Sequence, residues 1–332
     1  MYENNSWYGK LPNETLEVCE ENYNLFFEVM RERMLIWQRR FLEKRSAPWT
    51  ENTILRDYKF TNVYRELDRN SQWQIHNILR DDTLDEINLV WKLMIFRIFN
   101  NPETFERGKR QCGWRNGIPD WRTYNKEEFE QFIQTIRDDK QNPFTNAYLI
   151  NSASGAGHTR HWFYTNVVVP AIHKKIPLVV GLIHTTKKPE DLIKQLTKIP
   201  AVADFIAHEF YQDFTYIERY TDRKPFKFNQ NDFTNVGPGA RLGLRLIFPN
   251  SNSSKDGIYK LRDDAEKALE KFGGGKIYIQ WNKQKQEYEN TAKCNITLHQ
   301  IEMWLCEFQK YWKMQIGEGK QRSKFVAKTM VK

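Results

Sequence analysis

The sequence predicts a mainly helical protein. Apolar residues recur at helical spacing in one segment after another, and prolines and Asn-Pro pairs punctuate those segments. Hardly any stretch alternates apolar with polar residues as a half-buried strand does, so strands are expected to be minor, near 176–184 or 276–281.

Residues 14–45 read as a long amphipathic helix, with Leu25, Phe26, Val29, Met30, Ile36 and Trp37 on one side and Arg31, Arg33, Arg39 and Arg40 on another. The break at SAPWT (46–50) follows from proline's clash with a helical preceding residue, and Thr50 is placed to cap the next helix. That helix includes 57–73, DYKFTNVYRELDRNSQW. Phe60, Val63, Tyr64 and Leu67 follow i, i+3, i+4, i+7 and make a buried stripe. Beside it runs a polar strip of Lys59, Asn62, Arg65, Glu66, Asp68 and Arg69. An apolar helix at 83–102 ends on Asn-Pro, 111–121 is loop, and 125–140 is a charged amphipathic helix.

Further along, PEDLIKQLTKIPAVADFIAHEFYQDF (189–214) spells helix, short turn, helix. Its turn carries Ile199, Ala201 and Ala203, small residues where a helix-hairpin-helix turn has glycines that let a phosphate approach the backbone. The same spacing serves any helical hairpin. NVGPGARLGL (235–244) opens another helix, where Gly237, Gly239 and Arg241 can form an anion site or an ordinary Gly-Pro turn. PNSNSSKDG (249–257) reads as a polar surface loop, FGGGK (272–276) as a turn, and 297–314 as the last large helix. The basic tail from Gly317 reads as partly mobile.

Net charge is +9 over 332 residues, which suits a polyanionic partner. Aromatic residues make up 14%, enough to supply stacking platforms, though core packing accounts for most of them. The four cysteines form no CxxC pair, which removes zinc-finger chemistry and fits a reduced, cytoplasmic protein. No leader pattern and no uninterrupted run of about 18 apolar residues is seen, so neither secretion nor a membrane span is expected. The phosphate-binding pattern GxxxxGK[ST] is missing: neither the Gly155/Gly157 loop nor FGGGK completes it.

Taken in order, RERMLIWQRR, PWT, YKFTNVYRELDR, IPAVADFIAHEFYQDF, NVGPGARLGL, IEMWLCEFQKY and GEGK resemble the alpha-glutamyl/putrescinyl thymine pyrophosphorylases. These are amino acid:DNA transferases of hypermodifying bacteriophages, and the helical domain of 5-hydroxymethyluracil DNA kinases carries a similar pattern. The resemblance spans about 25–325 and implies an all-α fold like that of helix-hairpin-helix DNA glycosylases. The chain reads as a single helical catalytic domain over 1–332, or that domain built as two lobes: 14–140 with 297–325 packed on it, and 142–296. The reaction it implies is displacement of pyrophosphate from pyrophosphorylated 5-hydroxymethyluracil in DNA by an amino acid or polyamine, downstream of a kinase and inside an infected bacterial cell. The missing P-loop favours the transferase branch. Ala201 and Ala203 depart from the hairpin's glycines.

Under that resemblance the leaving diphosphate needs fixed cations, and Lys59, Arg65, Arg69, Arg39 and Arg33 are the candidates. A divalent metal such as magnesium can share the task, although no carboxylates cluster at ligand spacing. The attacking amine must lose a proton, so Glu307 and Asp68 lead as bases, with Lys310 beside Glu307, and Glu66, Asp213 and Asp232 behind them. Asn62 is placed to read the uracil edge, and Trp37, Trp49, Tyr64 or Tyr311 to stack on a base flipped out of the duplex. Cys306 is a candidate for addition to the ring or a small core residue. His158 and His161, flanking Arg160, are phosphate contacts or plain loop. Each polar group has an ordinary competitor: Arg65–Asp68 and Glu307–Lys310 are spaced as i, i+3 helix ion pairs. Two other classes remain open, a glycosylase-like base-excision enzyme, with Asp213 the nearest carboxylate after the hairpin, and a non-catalytic DNA-binding accessory.

Overall fold

Side-chain caps and prolines set many of the helix starts in the computed structural model, which describes residues 16–145, 158–223, 228–250, 254–272, 278–282, 284–285, 287–291, 296–319 and 324–325. The Gly155/Gly157 loop, the glycines of FGGGK, residues 251–253 of the polar tract and most of the basic tail lie outside these residues.

Helix α1 (Glu20–Trp37) has Glu20 and Glu21 in its first turn, where acidic groups favour the helix dipole, and runs on into a π turn at Gln38–Leu42. Short α2 (Thr53–Asp57) is capped by Asn52, whose side chain accepts from the Leu55 N–H. Thr50, the expected cap, instead donates to Glu32 Oε1 at 2.7 Å.

The expected helix at 57–73 is broken. The chain is non-helical from Tyr58 to Tyr64, makes a 3-10 turn at Arg65–Leu67, and re-enters helix in α3 (Arg69–Gln74), followed by a π turn at Ile75–Leu79. Phe60, Val63, Tyr64 and Leu67 are all buried, as the apolar pattern required. Tertiary bonds have replaced the local ladder: the Phe60 carbonyl accepts from Arg33 at 3.3 Å and the Thr61 N–H donates to Glu307 at 3.3 Å. Branched and aromatic residues here also hold a helix weakly.

Helix α4 (Glu86–Phe99), capped by Asp85, is buried on all sides from Asn88 onward and ends on Asn100, in the left-handed region at φ 48°. Asn101 caps α5 (Pro102–Cys112), whose proline stands at the first position, where no N–H is needed. Asn125 caps α6 (Lys126–Asp138). Next come α7 (Arg160–Phe163), a π turn at Tyr164–Val168, and α8 (Val169–Thr185). One of the two stretches expected as strand, 176–184, is therefore helix. Helices α9 (Pro189–Leu196) and α10 (Asp204–Tyr220) form the hairpin, and α11 (Pro238–Ile247) starts after the Gly-Pro turn. Helix α12 (Ser254–Lys271) takes up the end of what reads as surface loop. Strands β1 (Tyr278–Asn282) and β2 (Glu287–Thr291) pair antiparallel, Tyr278 opposite Thr291. A capping box between Thr297 and Gln300 opens α13 (Leu298–Gln315). Apart from the β1–β2 pair and an isolated bridge, the described chain is all-α.

Two compact units result, residues 1–65 with 236–332, and residues 66–235. The lobes expected from the sequence, 14–140 with 297–325 and 142–296, have other bounds. In the first unit α11 lies against α13, and α1 packs on α11, α12 and α13, with Phe26 edge-on to Phe308 at 5.4 Å. The closeness of α11 and α13 depends on Gly243, where a Cβ would stand 2.3 Å from the Leu305 carbonyl oxygen. Lys324 bridges to Tyr58 and the Phe325 N–H bonds the Asp57 carbonyl, so this part of the tail is tied down.

In the second unit α10 is buried on most of its length and packs on α4 and α9, while α8 packs on α4. The run Arg160–Thr185 is long and apolar enough, by length and composition alone, to cross a membrane, with a mean hydropathy of 1.5 in its best window. Lys174 and Lys175 interrupt it, so it is not the uninterrupted apolar run that the sequence lacks. Within the unit, Val169, Ile172, Ile176, Val179 and Ile183 of this run are buried.

Candidate functional site

The first unit gathers the largest share of the expected residues around Thr61. Glu307, on α13 and 4% exposed, accepts from the Thr61 N–H and from Lys310 Nζ at 2.6 Å. This joins α13 to the segment carrying Lys59, Asn62, Tyr64 and Arg65. Lys59 is exposed, Arg65 half-buried, and Asn62 and Tyr64 buried. One turn on from Glu307, the Tyr311 hydroxyl accepts from Asn52 Nδ2 at 2.8 Å, and its ring lies 6.3 Å from Phe60. A buried carboxylate, an ammonium and an amide-bearing segment thus meet, with Lys59 nearby in the chain.

Other expected residues of this unit are used within the protein. Arg39 bonds Glu32 at 2.9 Å and the Trp49 carbonyl at 2.6 Å, and Arg33 holds the Phe60 carbonyl. Trp37 is buried against Phe41 and Tyr288. The Trp49 ring lies 4.9 Å from the Arg40 guanidinium, which also lies over Phe41 and Phe325.

The Gly-Pro turn is not an open anion cradle. The Gly237 N–H donates to Glu302 Oε1 at 3.2 Å, so a carboxylate of α13 already stands at the start of α11. Gly239 keeps α11 close to α13, since a Cβ there would lie 3.0 Å from Cys306 Sγ; Arg241 is half-buried in the first turn of α11. Burial, with Glu302 and Glu307 close by, pushes the Cys306 thiol up to about 12, which keeps it protonated near neutral pH and unsuited to attack.

In the second unit Glu66 is 1% exposed and paired with Arg219 at 2.9 Å, and its carbonyl accepts from Gln72. That ion pair holds Glu66 within the second unit, as Lys310 holds Glu307 within the first. Asp68 is half-buried at the start of α3, and Arg69, 74% exposed, pairs with Glu103. Asp213 is fully buried, gripped by both arms of Arg97, which also reaches Glu209 at 3.0 Å. Burial raises the Asp213 carboxyl against the pull of Arg97. Asp232 accepts from the Asn229 N–H in a turn. His158 stacks on Trp162, His161 lies beside Thr159, and Arg160 lies over the Phe144 ring at 4.2 Å.

A short turn joins α9 to α10, as helix, turn, helix was expected. Ala201 sits at φ +62°, a left-handed position that favours glycine, Ile199 anchors the turn in the core, and exposed Ala203 begins α10 with no side-chain cap. Lys187, Lys188, Lys194 and Lys198, on or beside α9, are exposed and make no ion pair among the described residues.

A cavity of about 530 Å³ lies between α5 and the end of α6, and no residue expected at the site lines it. Among the described residues no group of three His, Cys, Asp or Glu side chains could hold a metal. Sequence reasoning missed Arg97, Glu209, Arg219 and Glu302. Only Arg97 was signalled, as a charge inside the apolar run KLMIFRIF.

No solved structure matches the chain. The 5-hmdU DNA kinase of Bacillus phage SP10 is 27% identical over 310 residues, which cover 89% of this chain and 46% of that protein. The chain thus spans about half the length of the curated relative it matches. Residues 20–321 match the family described as "5-hmdU DNA kinase, helical domain", and the chain belongs to that family.

Proposed function

We propose that the chain works in thymidine hypermodification of phage DNA, as a transferase that replaces the pyrophosphate of pyrophosphorylated 5-hydroxymethyluracil with an amine. Family membership supports the DNA and base context, since the relative is a 5-hmdU DNA kinase. The observation that carries the reaction type is the Glu307–Lys310–Thr61 cluster.

The chemistry asks little else of the protein. The amine nitrogen bonds the 5-methylene carbon as the carbon–oxygen bond to pyrophosphate breaks, and the nitrogen gives up a proton. Glu307 takes that proton, held in place by the Thr61 N–H and Lys310. Lys59 and Arg65 stabilise the charge gathering on the departing diphosphate. Asn62 reads the flipped base. The uncapped start of α10 and the lysines beside α9 hold the DNA backbone.

The test is nucleoside mass spectrometry after incubating the protein with pyrophosphorylated DNA and a mixture of glycine, serine, glutamate and putrescine. Amine-bearing thymidine and free pyrophosphate are expected, with magnesium and EDTA arms deciding whether a metal shares the leaving-group charge. Glu307→Gln is expected to lower turnover about 100-fold while DNA binding persists. Abasic product, or binding without turnover, would reject the reading.

A further inference from the structure

The cavity between α5 and α6 holds chemistry that nothing above uses. Helix α5 presents Glu103, Arg107, Arg110 and Gln111 along one face, at i, i+4, i+7 and i+8, and the far wall brings Asp139 and Asn142. Arg107, 13% exposed, is fixed: its Nη2 pairs with Asp139 Oδ2 at 2.6 Å and its Nε donates to Gln111 Oε1 at 2.8 Å. Arg110 is exposed, makes no hydrogen bond or ion pair among the described residues, and its charge helps hold the Glu106 carboxyl low. Glu103 gives Oε1 to Arg69 and Asp139 gives Oδ2 to Arg107, which leaves Glu103 Oε2 and Asp139 Oδ1 able to accept.

Both signs of charge therefore line one small polar space, each with unused capacity. A polyamine would bring only positive charge against Arg107 and Arg110. A phosphate would bring only negative charge against Glu103 and Asp139. A zwitterion satisfies both sides, and the Gln111 amide NH2 can donate to its carboxylate.

We propose that this cavity binds a free α-amino acid, its carboxylate on Arg110 and its ammonium on Glu103 and Asp139.

The experiment measures binding of glycine, L-serine and L-glutamate to the full chain without DNA, by calorimetry or ligand-observed NMR. Glycinamide, which lacks the carboxylate, and putrescine, a diamine, are the contrasting probes. At least one amino acid is expected to bind, with glycinamide and putrescine about tenfold weaker or more. Arg110→Ala is expected to weaken the amino acid by about tenfold without moving the melting temperature, because Arg110 is exposed and unbonded. No amino-acid binding up to about 10 mM, equal binding of putrescine, or unchanged affinity in Arg110→Ala overturns the proposal.

Discussion

Lys92 and Arg97 put two charges into the otherwise apolar stretch Leu89–Phe99 of α4, and each is held by bonds far away in sequence. Arg97 meets Asp213 and Glu209 on α10, and Lys92 Nζ donates to the Arg115 and Ile118 carbonyls at 2.8 and 2.5 Å. That such charges must be bonded follows from the sequence alone, because an isolated buried charge is prohibitively unfavourable. Their partners do not follow, because Asp213 lies 116 residues from Arg97. Burial lowers the Lys92 amine from its ordinary 10.5 to about 8. A neutral amine still has two protons for its two carbonyl acceptors, so the site works deprotonated. The folded state then binds fewer protons than the unfolded state between pH 8 and 10.5, and the contribution of Lys92 to stability rises with pH across that window. Compared with Lys92→Met, the wild type is expected to gain roughly 1–2 kcal/mol between pH 7 and pH 9.5, read from urea unfolding curves. A gap that stays constant or shrinks as pH rises would show that Lys92 remains charged in the fold.

At the scale of elements, the apolar periodicity of 57–73 identified the buried residues and still misled about the backbone. Phe60, Val63, Tyr64 and Leu67 are in the core as their spacing required, yet the segment is mostly not helix. The bonds that unwind it come from Arg33 and Glu307, and no local pattern announces them. Two of the helices with side-chain caps were easier to read: Asp85 and Asn125 stand within two residues of the starts expected from the sequence, whereas α5, capped by Asn101, follows an Asn-Pro pair read only as a helix end. Glycines inside helices show the same division between local and tertiary causes. Gly181, within α8, has nothing within 4 Å of a Cβ, so Gly181→Ala is expected to stabilise by roughly 0.5–1 kcal/mol through backbone entropy. Gly243, within α11, faces the α13 backbone at 2.3 Å, so Gly243→Ala must push two helices apart. It is expected to destabilise by about 1–3 kcal/mol despite alanine's better propensity. Thermal unfolding of the two variants side by side should therefore move in opposite directions. Movement in the same direction would mean that the α11–α13 contact is looser than described.

Across the whole molecule, the sequence locates excess positive charge only as a total, and pairing decides where it acts. The net charge of +9 is spread along the chain, but Arg39, Arg97, Arg107, Arg115 and Arg219 are all paired with carboxylates inside their units. Which cations are used up this way depends on non-local folding, as does the closing of α1 against α13 in one unit, and neither shows as a composition break. Lys187, Lys188, Lys194 and Lys198 are left exposed and unpaired among the described residues, next to a hairpin turn whose following helix lacks a side-chain cap. If these lysines meet phosphates, each displaces condensed counterions, and the logarithm of DNA affinity falls linearly with the logarithm of salt concentration. Lys194→Ala with Lys198→Ala is expected to weaken binding to duplexes of unrelated sequence alike and to reduce the salt slope by about 2, one for each phosphate contact removed. Both positions are exposed, so the melting temperature should hold. An unchanged slope in the double variant would move the DNA-binding face away from the hairpin, and with it the role assigned to the start of α10.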